Sequence, residues 1–267
     1  MAAGGCRSEQ VWTMKLKGRI AIVTGAATGI GRAIGLAFLS EGARTVFVDI
    51  NADGLDRIAR HQAAGSDEFL TIVADATKAV DAERVVNETA DRWGAVDILV
   101  NNVGGAVGNG GIEGIEADWE ATFTLCFKTQ FLFCRAVLPA MRSHGGGRIV
   151  NISSNAGKYR SNTGISSIAY SAAKAAVLQL TRSLAHAVGV DGITVNAIAP
   201  GSVLSDAGLE EFNSMEPSLR NRVLSETPLG YFADPKEIAS IAVFLASDDA
   251  SYMTGTTIVA NGGWCTG

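Results

Sequence analysis

Near the start of the chain, a short β-branched run ends in a glycine-rich turn and passes into an apolar-periodic helix. Residues 19–24 (Arg-Ile-Ala-Ile-Val-Thr) have the composition of a buried parallel strand. Gly25-Ala26-Ala27-Thr28-Gly29-Ile30-Gly31 follows, and Ile34, Ala37, Phe38 and Leu39 mark the apolar face of a helix. Strand, glycine turn and helix in succession predict a βαβ unit with a dinucleotide-binding turn. Gly25 permits the tight turn, Gly29 lets the backbone approach a pyrophosphate, and Gly31 allows close helix packing. The helix N-terminus favours the anion. The spacing is GxxxGxG rather than GxGxxG, and taken alone it reads as a turn.

The rest of the chain repeats the alternation. Strands are predicted near 19–24, 44–49, 69–74, 96–101, 147–153, 192–198 and 256–260. Helices are predicted near 29–42, 52–64, 79–93, 117–143, 168–189 and 235–247. This is the pattern of an α/β Rossmann fold, a doubly wound parallel sheet of about seven strands with helices on both faces. Ligands of such sheets sit at the carboxyl ends of the strands. Gly25, Asp49, Asp75, Asn101, Ser154 and Pro200 all fall at or just after predicted strand ends.

The 267 residues, 47% hydrophobic, are enough for one domain with an ample core, expected over 15–267. Residues 1–14 lack the apolar centre of a signal peptide and are expected to be a flexible extension. A net charge of −5 argues against nucleic acid or an anionic membrane as partner, and no apolar run is long enough to span a bilayer. Cys6, Cys126, Cys134 and Cys265 lack metal-ligand spacing, so no metal is expected; reduced thiols suit a cytoplasmic protein.

Two further signals carry chemistry. Arg44-Thr45-Val46-Phe47-Val48 ends in Asp49, 18 residues after Gly31, where a carboxylate accepts hydrogen bonds from the ribose hydroxyls of NAD and repels the 2′-phosphate of NADP. Thr28, Ile50 and Asn51 offer that phosphate no cation, so NAD is expected. Tyr170 and Lys174 lie four apart in a helix-favouring segment and share one face. An ammonium beside a phenol stabilises phenolate and is expected to lower the tyrosine pKa from about 10, so that Tyr170 can exchange a proton with an alcohol or ketone.

Together these residues resemble the short-chain dehydrogenase/reductase family, in its short single-domain branch of ketoacyl reductases and hydroxysteroid dehydrogenases. The resemblance covers 15–267. It runs through Thr24–Gly31, Asp75 in Val73-Ala74-Asp75-Ala76-Thr77, Asn101-Asn102-Val103-Gly104, Gly147–Ser154, the Tyr170/Lys174 helix, Val195–Gly201, Thr254-Gly255 and Asn261-Gly262-Gly263-Trp264. It implies an NAD-dependent oxidoreductase acting on an alcohol or ketone, with Ser154, Tyr170 and Lys174 as catalytic residues and Lys174 also on the nicotinamide ribose. It places Asp75 and Ala76 at the adenine, and Asn101, Val103 and Gly104 on the adenosine side. Thr28 and Ile30 belong to the glycine turn, and Pro200, Gly201, Val203 and Ser205 to a loop that grips the nicotinamide amide and pyrophosphate. Asn155, Arg160 and Gly201 are expected to border the substrate. The resemblance also implies a homo-oligomer, dimer or tetramer, through the helices that carry Phe131 and Tyr170.

The chain departs from the family at three places. Seven residues after Trp119, where the family carries an Asn that stabilises a helix kink, stands Cys126. It is read as a catalytic-site position, as a buried small apolar residue, or as a loss of function that would leave an NAD-binding sensor or scaffold. Ser154 and Tyr170 are sixteen apart, where about thirteen is common, so the loop with Lys158 and Arg160 is longer. Asn261-Gly262-Gly263 replaces Asp-Gly-Gly at an end expected to pack at a subunit contact. A lid is expected near 204–227, where Leu209, Phe212, Met215, Leu219 and Val223 suit a partly apolar, neutral substrate.

Overall fold

The computed structural model describes residues 14–62, 67–108, 111–159 and 167–264. All but one residue of the predicted N-terminal extension lie outside that set. Seven strands form one parallel sheet: β1 (Ile20–Thr24), β2 (Arg44–Asp49), β3 (Phe69–Val73), β4 (Ile98–Asn101), β5 (Gly147–Ile152), β6 (Ile193–Pro200) and β7 (Thr257–Ala260). Their order is β3-β2-β1-β4-β5-β6-β7. The chain winds outward from β1 in one direction and from β4 in the other, which opens a crevice at the carboxyl ends of β1 and β4. Each predicted strand lies within two residues of an observed one.

The strands are apolar on both sides because both faces are covered. One face packs against α1 (Gly29–Ser40) and α9 (Pro235–Ala246), which touch each other, with Ile34, Phe38, Ile238 and Ala242 fully buried. The other packs against α3 (Ala79–Trp93), α5 (Thr129–Ser143) and α6 (Ile168–Val188), with Val85, Phe133, Val137 and Met141 at its centre. α2 (Ala52–His61) follows β2. No helix among the described residues is long and apolar enough to cross a membrane.

The helix predicted over 117–143 is broken. α4 (Glu116–Phe123) passes into a π-helical turn over Thr124–Lys128 before α5 resumes, and the Thr129 N–H reaches back five residues to the Thr124 carbonyl. Two short helices, α7 (Asp206–Ser214) and α8 (Pro217–Glu226), follow β6. The first starts at Ser205, whose Oγ accepts the Gly208 N–H at 3.1 Å; the second carries Pro217 in its first turn, where a missing N–H costs nothing.

Candidate active site

The carboxyl ends of the strands border a cavity of about 1100 Å³. At its floor lies the glycine turn. Gly25, Thr28, Gly29 and Ile30 line it, while Gly31 faces away, packed so closely that a Cβ there would overlap the Gly25 carbonyl. Gly31 is thus the contact that seats α1 on the turn. Asp49, at the end of β2, and Ile50 form the next wall. The Asp49 carboxylate is held at both oxygens, accepting the Ala27 N–H at 2.9 Å and the Asn51 N–H at 2.9 Å. Each oxygen keeps a second lone pair for a ligand hydroxyl.

Asp75 and Ala76 line the cavity beyond β3. One Asp75 oxygen accepts the Thr77 hydroxyl at 2.6 Å and the Thr77 N–H at 3.0 Å. Hydrogen bonding from Thr77 holds the carboxyl below its usual range, with Lys78 adding to the effect. At the end of β4, Asn101 is buried and does not line the cavity. Its amide donates to Asn151 Oδ1 on β5 at 2.9 Å and to Cys134 Sγ on α5 at 3.3 Å. Its neighbours Asn102, Val103 and Gly104 face the cavity instead. The Asn101 side chain, expected on the adenosine side of the cofactor, therefore turns away from the cavity. Asn102, which the sequence reading did not single out, donates its amide to the Thr24 and Gly25 carbonyls and ties β4 to the glycine turn.

Ser154, Asn155, Tyr170 and Lys174 line the same cavity. Ser154 follows β5, and its Oγ accepts the Ala156 N–H at 3.2 Å and donates to Asn155 Oδ1 at 3.3 Å. Tyr170 and Lys174 stand one turn apart on α6, with Lys174 Nζ 5.7 Å from the Tyr170 ring centroid. Lys174 is 2% exposed and donates to the Ile152 carbonyl at 2.9 Å. Burial pushes its pKa down, opposed by the neighbouring Cys126. Ser153 Oγ clamps α6 to β5 by donating to the Lys174 carbonyl at 2.8 Å, a contact with no sequence signal of its own. Gly104 packs beside the lysine: a Cβ there would stand 2.8 Å from Nζ, so the ammonium would have to shift. Arg160, an expected substrate contact, lies outside the described residues.

Cys126 does not line the cavity. It is fully buried in the π-helical turn, where its thiol donates to the Gly105 carbonyl at 3.2 Å and accepts the Gly105 N–H at 3.3 Å. One turn earlier, Thr122 Oγ1 accepts the Val107 N–H at 3.1 Å. These contacts fix Gly105 and Val107 against the helix. Cys126 is therefore more than apolar filling: it makes the two-way backbone bridge that an amide would also make. Cys126→Asn is expected to preserve or raise turnover, whereas Cys126→Ala, which loses both bonds without adding bulk, is expected to lower it several-fold. Initial rates together with thermal unfolding separate these outcomes. A collapse of the Asn variant with intact folding contradicts the bridging role.

Pro200, Gly201, Val203 and Ser205 run along the far wall, where Val203 pairs with Ala233. Phe212 and Met215 from α7 and its end, and Val223 from α8, complete an apolar rim. Asn261, Gly262 and Trp264 also line the cavity, so the C-terminal segment expected at a subunit contact borders the site itself. Asn261 Oδ1 accepts the Gly263 N–H at 3.1 Å, and its amide donates to the Trp264 carbonyl. No cluster of residues with metal-ligand geometry occurs among the described residues.

Comparison with known proteins bears on the fold and the family of the chain. A family model described as enoyl-(acyl carrier protein) reductase matches residues 25–265. A 3-oxoacyl-(acyl-carrier-protein) reductase of Thermotoga maritima is 35% identical over 250 residues, covering 94% of this chain and 99% of that protein. The D-threitol dehydrogenase of Mycolicibacterium smegmatis is 35% identical, covering 94% of each. Among solved structures, a 7α-hydroxysteroid dehydrogenase in complex with NADH and 7-oxo glycochenodeoxycholic acid is similar at a TM-score of 0.87 and 33% identity, over 96% of this chain and 97% of that one. Levodione reductase is similar at a TM-score of 0.85 and 32% identity, over 93% and 98%. With a family model matching residues 25–265, a relative 35% identical over 94% of the chain and a solved structure similar at a TM-score of 0.87, the chain belongs to the short-chain dehydrogenase/reductase family of oxidoreductases.

Proposed function

We propose that the protein is an NAD-dependent oxidoreductase that interconverts a secondary alcohol and its ketone, with residues 15–267 as one catalytic domain and 204–227 as its lid. One juxtaposition carries this reading: Ser154, Tyr170 and Lys174 border the same cavity as the glycine turn and Asp49. The residues fit the dinucleotide. The Gly29 N–H opens a helix N-terminus suited to a pyrophosphate, and Asp49 has lone pairs for ribose hydroxyls. Lys174 is the one cation among the described lining residues, so a 2′-phosphate at Asp49 would meet a carboxylate with no partner.

When bound there, NAD supplies the acceptor or donor of the hydride. The protein supplies position and proton handling. Ser154 Oγ turns from Asn155 to donate to the substrate oxygen. In oxidation the Tyr170 phenolate takes the alcohol proton; in reduction the phenol returns it. Lys174 favours the phenolate by its charge, and the Ile152 carbonyl holds its ammonium in place. Gln130 Nε2 donates to that same carbonyl at 3.1 Å, which steadies the strand end. The rim formed by Leu125, Phe212, Met215, Val223 and Leu229 favours a neutral, partly apolar substrate such as a cyclic alcohol, steroid or polyol.

Phe131, 44% exposed on α5 and covered by the Arg135 guanidinium, suits a two-fold helix contact in a dimer or tetramer. The sensor reading drew on Cys126 alone. Its thiol forms a bridge to the Gly105 backbone, which favours turnover over its loss.

Initial rates with NAD and with NADP test the cofactor assignment. The wild type is expected to prefer NAD. Asp49→Ala is expected to raise KM for NAD about tenfold or more, as loss of hydrogen bonds to a charged group does, and to narrow the NAD/NADP ratio. Thermal unfolding controls for the loss of the Ala27 contact. Equal use of both cofactors by the wild type contradicts the assignment.

A further inference from the structure

We infer that Asp206 sets the affinity for the dinucleotide by holding, from within the chain, the anion position at the glycine turn. The inference rests on the dinucleotide reading above. The N-terminus of α1 has donors without intrahelical acceptors. Its own sequence does little for them: the Thr28 side chain makes no cap, and the first turn carries no acidic residue. The anion comes instead from a residue 177 positions along the chain. Asp206 Oδ2 accepts the Gly29 N–H at 3.1 Å, and Oδ1 lies 3.6 Å from Arg32 Nη2.

Asp206 is the first residue of α7, so the start of the lid is seated on the turn. The preceding Ser205 is close enough that a Cβ on Gly29 would stand 3.0 Å from its own Cβ. A pyrophosphate needs the same N–H and carries two negative charges into the space beside the carboxylate. The two cannot share the donor. Asp206 is half exposed, so it can leave for water without a large desolvation cost, and its departure detaches the start of α7 from α1. Cofactor affinity is therefore lower than the turn alone would give, and return of Asp206 to the Gly29 N–H assists release.

Calorimetric titration of the full chain with NADH, ADP-ribose and adenosine tests this. ADP-ribose carries the pyrophosphate; adenosine does not. Asp206→Asn and Asp206→Ala are each expected to bind NADH and ADP-ribose about tenfold more tightly than wild type, the effect of one like-charge contact near a protein surface, with adenosine unchanged. Unchanged or weaker ADP-ribose binding in both variants overturns the inference. So does an equal gain for adenosine, which would mean a loosened lid rather than a displaced anion. If wild type and variants bind neither NADH nor ADP-ribose at millimolar concentration, the dinucleotide reading fails and this inference with it.

Discussion

Tyr170→Phe is expected to lower turnover by about 10² to 10⁴-fold, the range that a positioned general acid or base supplies, while NADH affinity stays within about twofold of wild type. The substitution removes one oxygen and keeps the ring that packs beside the Lys174 ammonium. The turn, Asp49 and the loop through Val203 are untouched, so binding and turnover separate. Steady-state rates and a fluorescence titration of NADH make the comparison. Wild-type turnover in the variant would assign the proton step to another group and leave Tyr170 as a wall of the cavity.

Lys174→Met is expected to be nearly as severe and to carry a second signature. Methionine keeps most of the volume of a side chain that is 2% exposed, and the Ile152 carbonyl that loses Nζ retains the Gln130 amide as donor. The fold is therefore expected to survive, with activity falling about 10²-fold or more. The signature is the pH dependence of alcohol oxidation. The forward reaction needs the phenolate, so its rate rises with pH through the tyrosine pKa. An ammonium nearby moves that rise to lower pH; without it the rise moves to higher pH. Loss of activity at every pH with no movement of the limb would mean that Lys174 only orients the cofactor.

Much of this site was legible in the chain because its parts sit at strand ends. A parallel strand buried on both faces is a continuous apolar run, and the run stops where the backbone reaches the carboxyl edge. Asp49 is read from such a strand end, Ser154 and Pro200 come from the family resemblance and fall at strand ends too, and a spacing of four places Tyr170 and Lys174 on one face of α6. What remained hidden has physical reasons. Strands buried on both sides do not show which of two adjacent residues faces the cavity, so Asn101 was chosen where Asn102 lines it and Asn101 turns to Asn151. The π-helical turn at Thr124–Lys128 adds one residue to a helix without changing its apolar character, so 117–143 read as continuous. α7 and α8 are short and largely polar, although the Ser205 cap and Pro217 mark their starts. The bond from Asp206 to Gly29 joins residues 177 apart and follows from no local pattern.

The central claim is hydride transfer between an alcohol carbon and NAD at the cavity holding Ser154, Tyr170 and Lys174. The most direct measurement is NADH formation by the wild-type protein from NAD and a panel of neutral secondary alcohols deuterated at the carbinol carbon, with the label followed into the nicotinamide by mass spectrometry. The account predicts NADH that carries the deuterium and a matching ketone, with turnover for at least one apolar cyclic member of the panel. Tight NADH binding with no label transfer in either direction, from alcohol to NAD or from labelled NADH to the ketones, would contradict it.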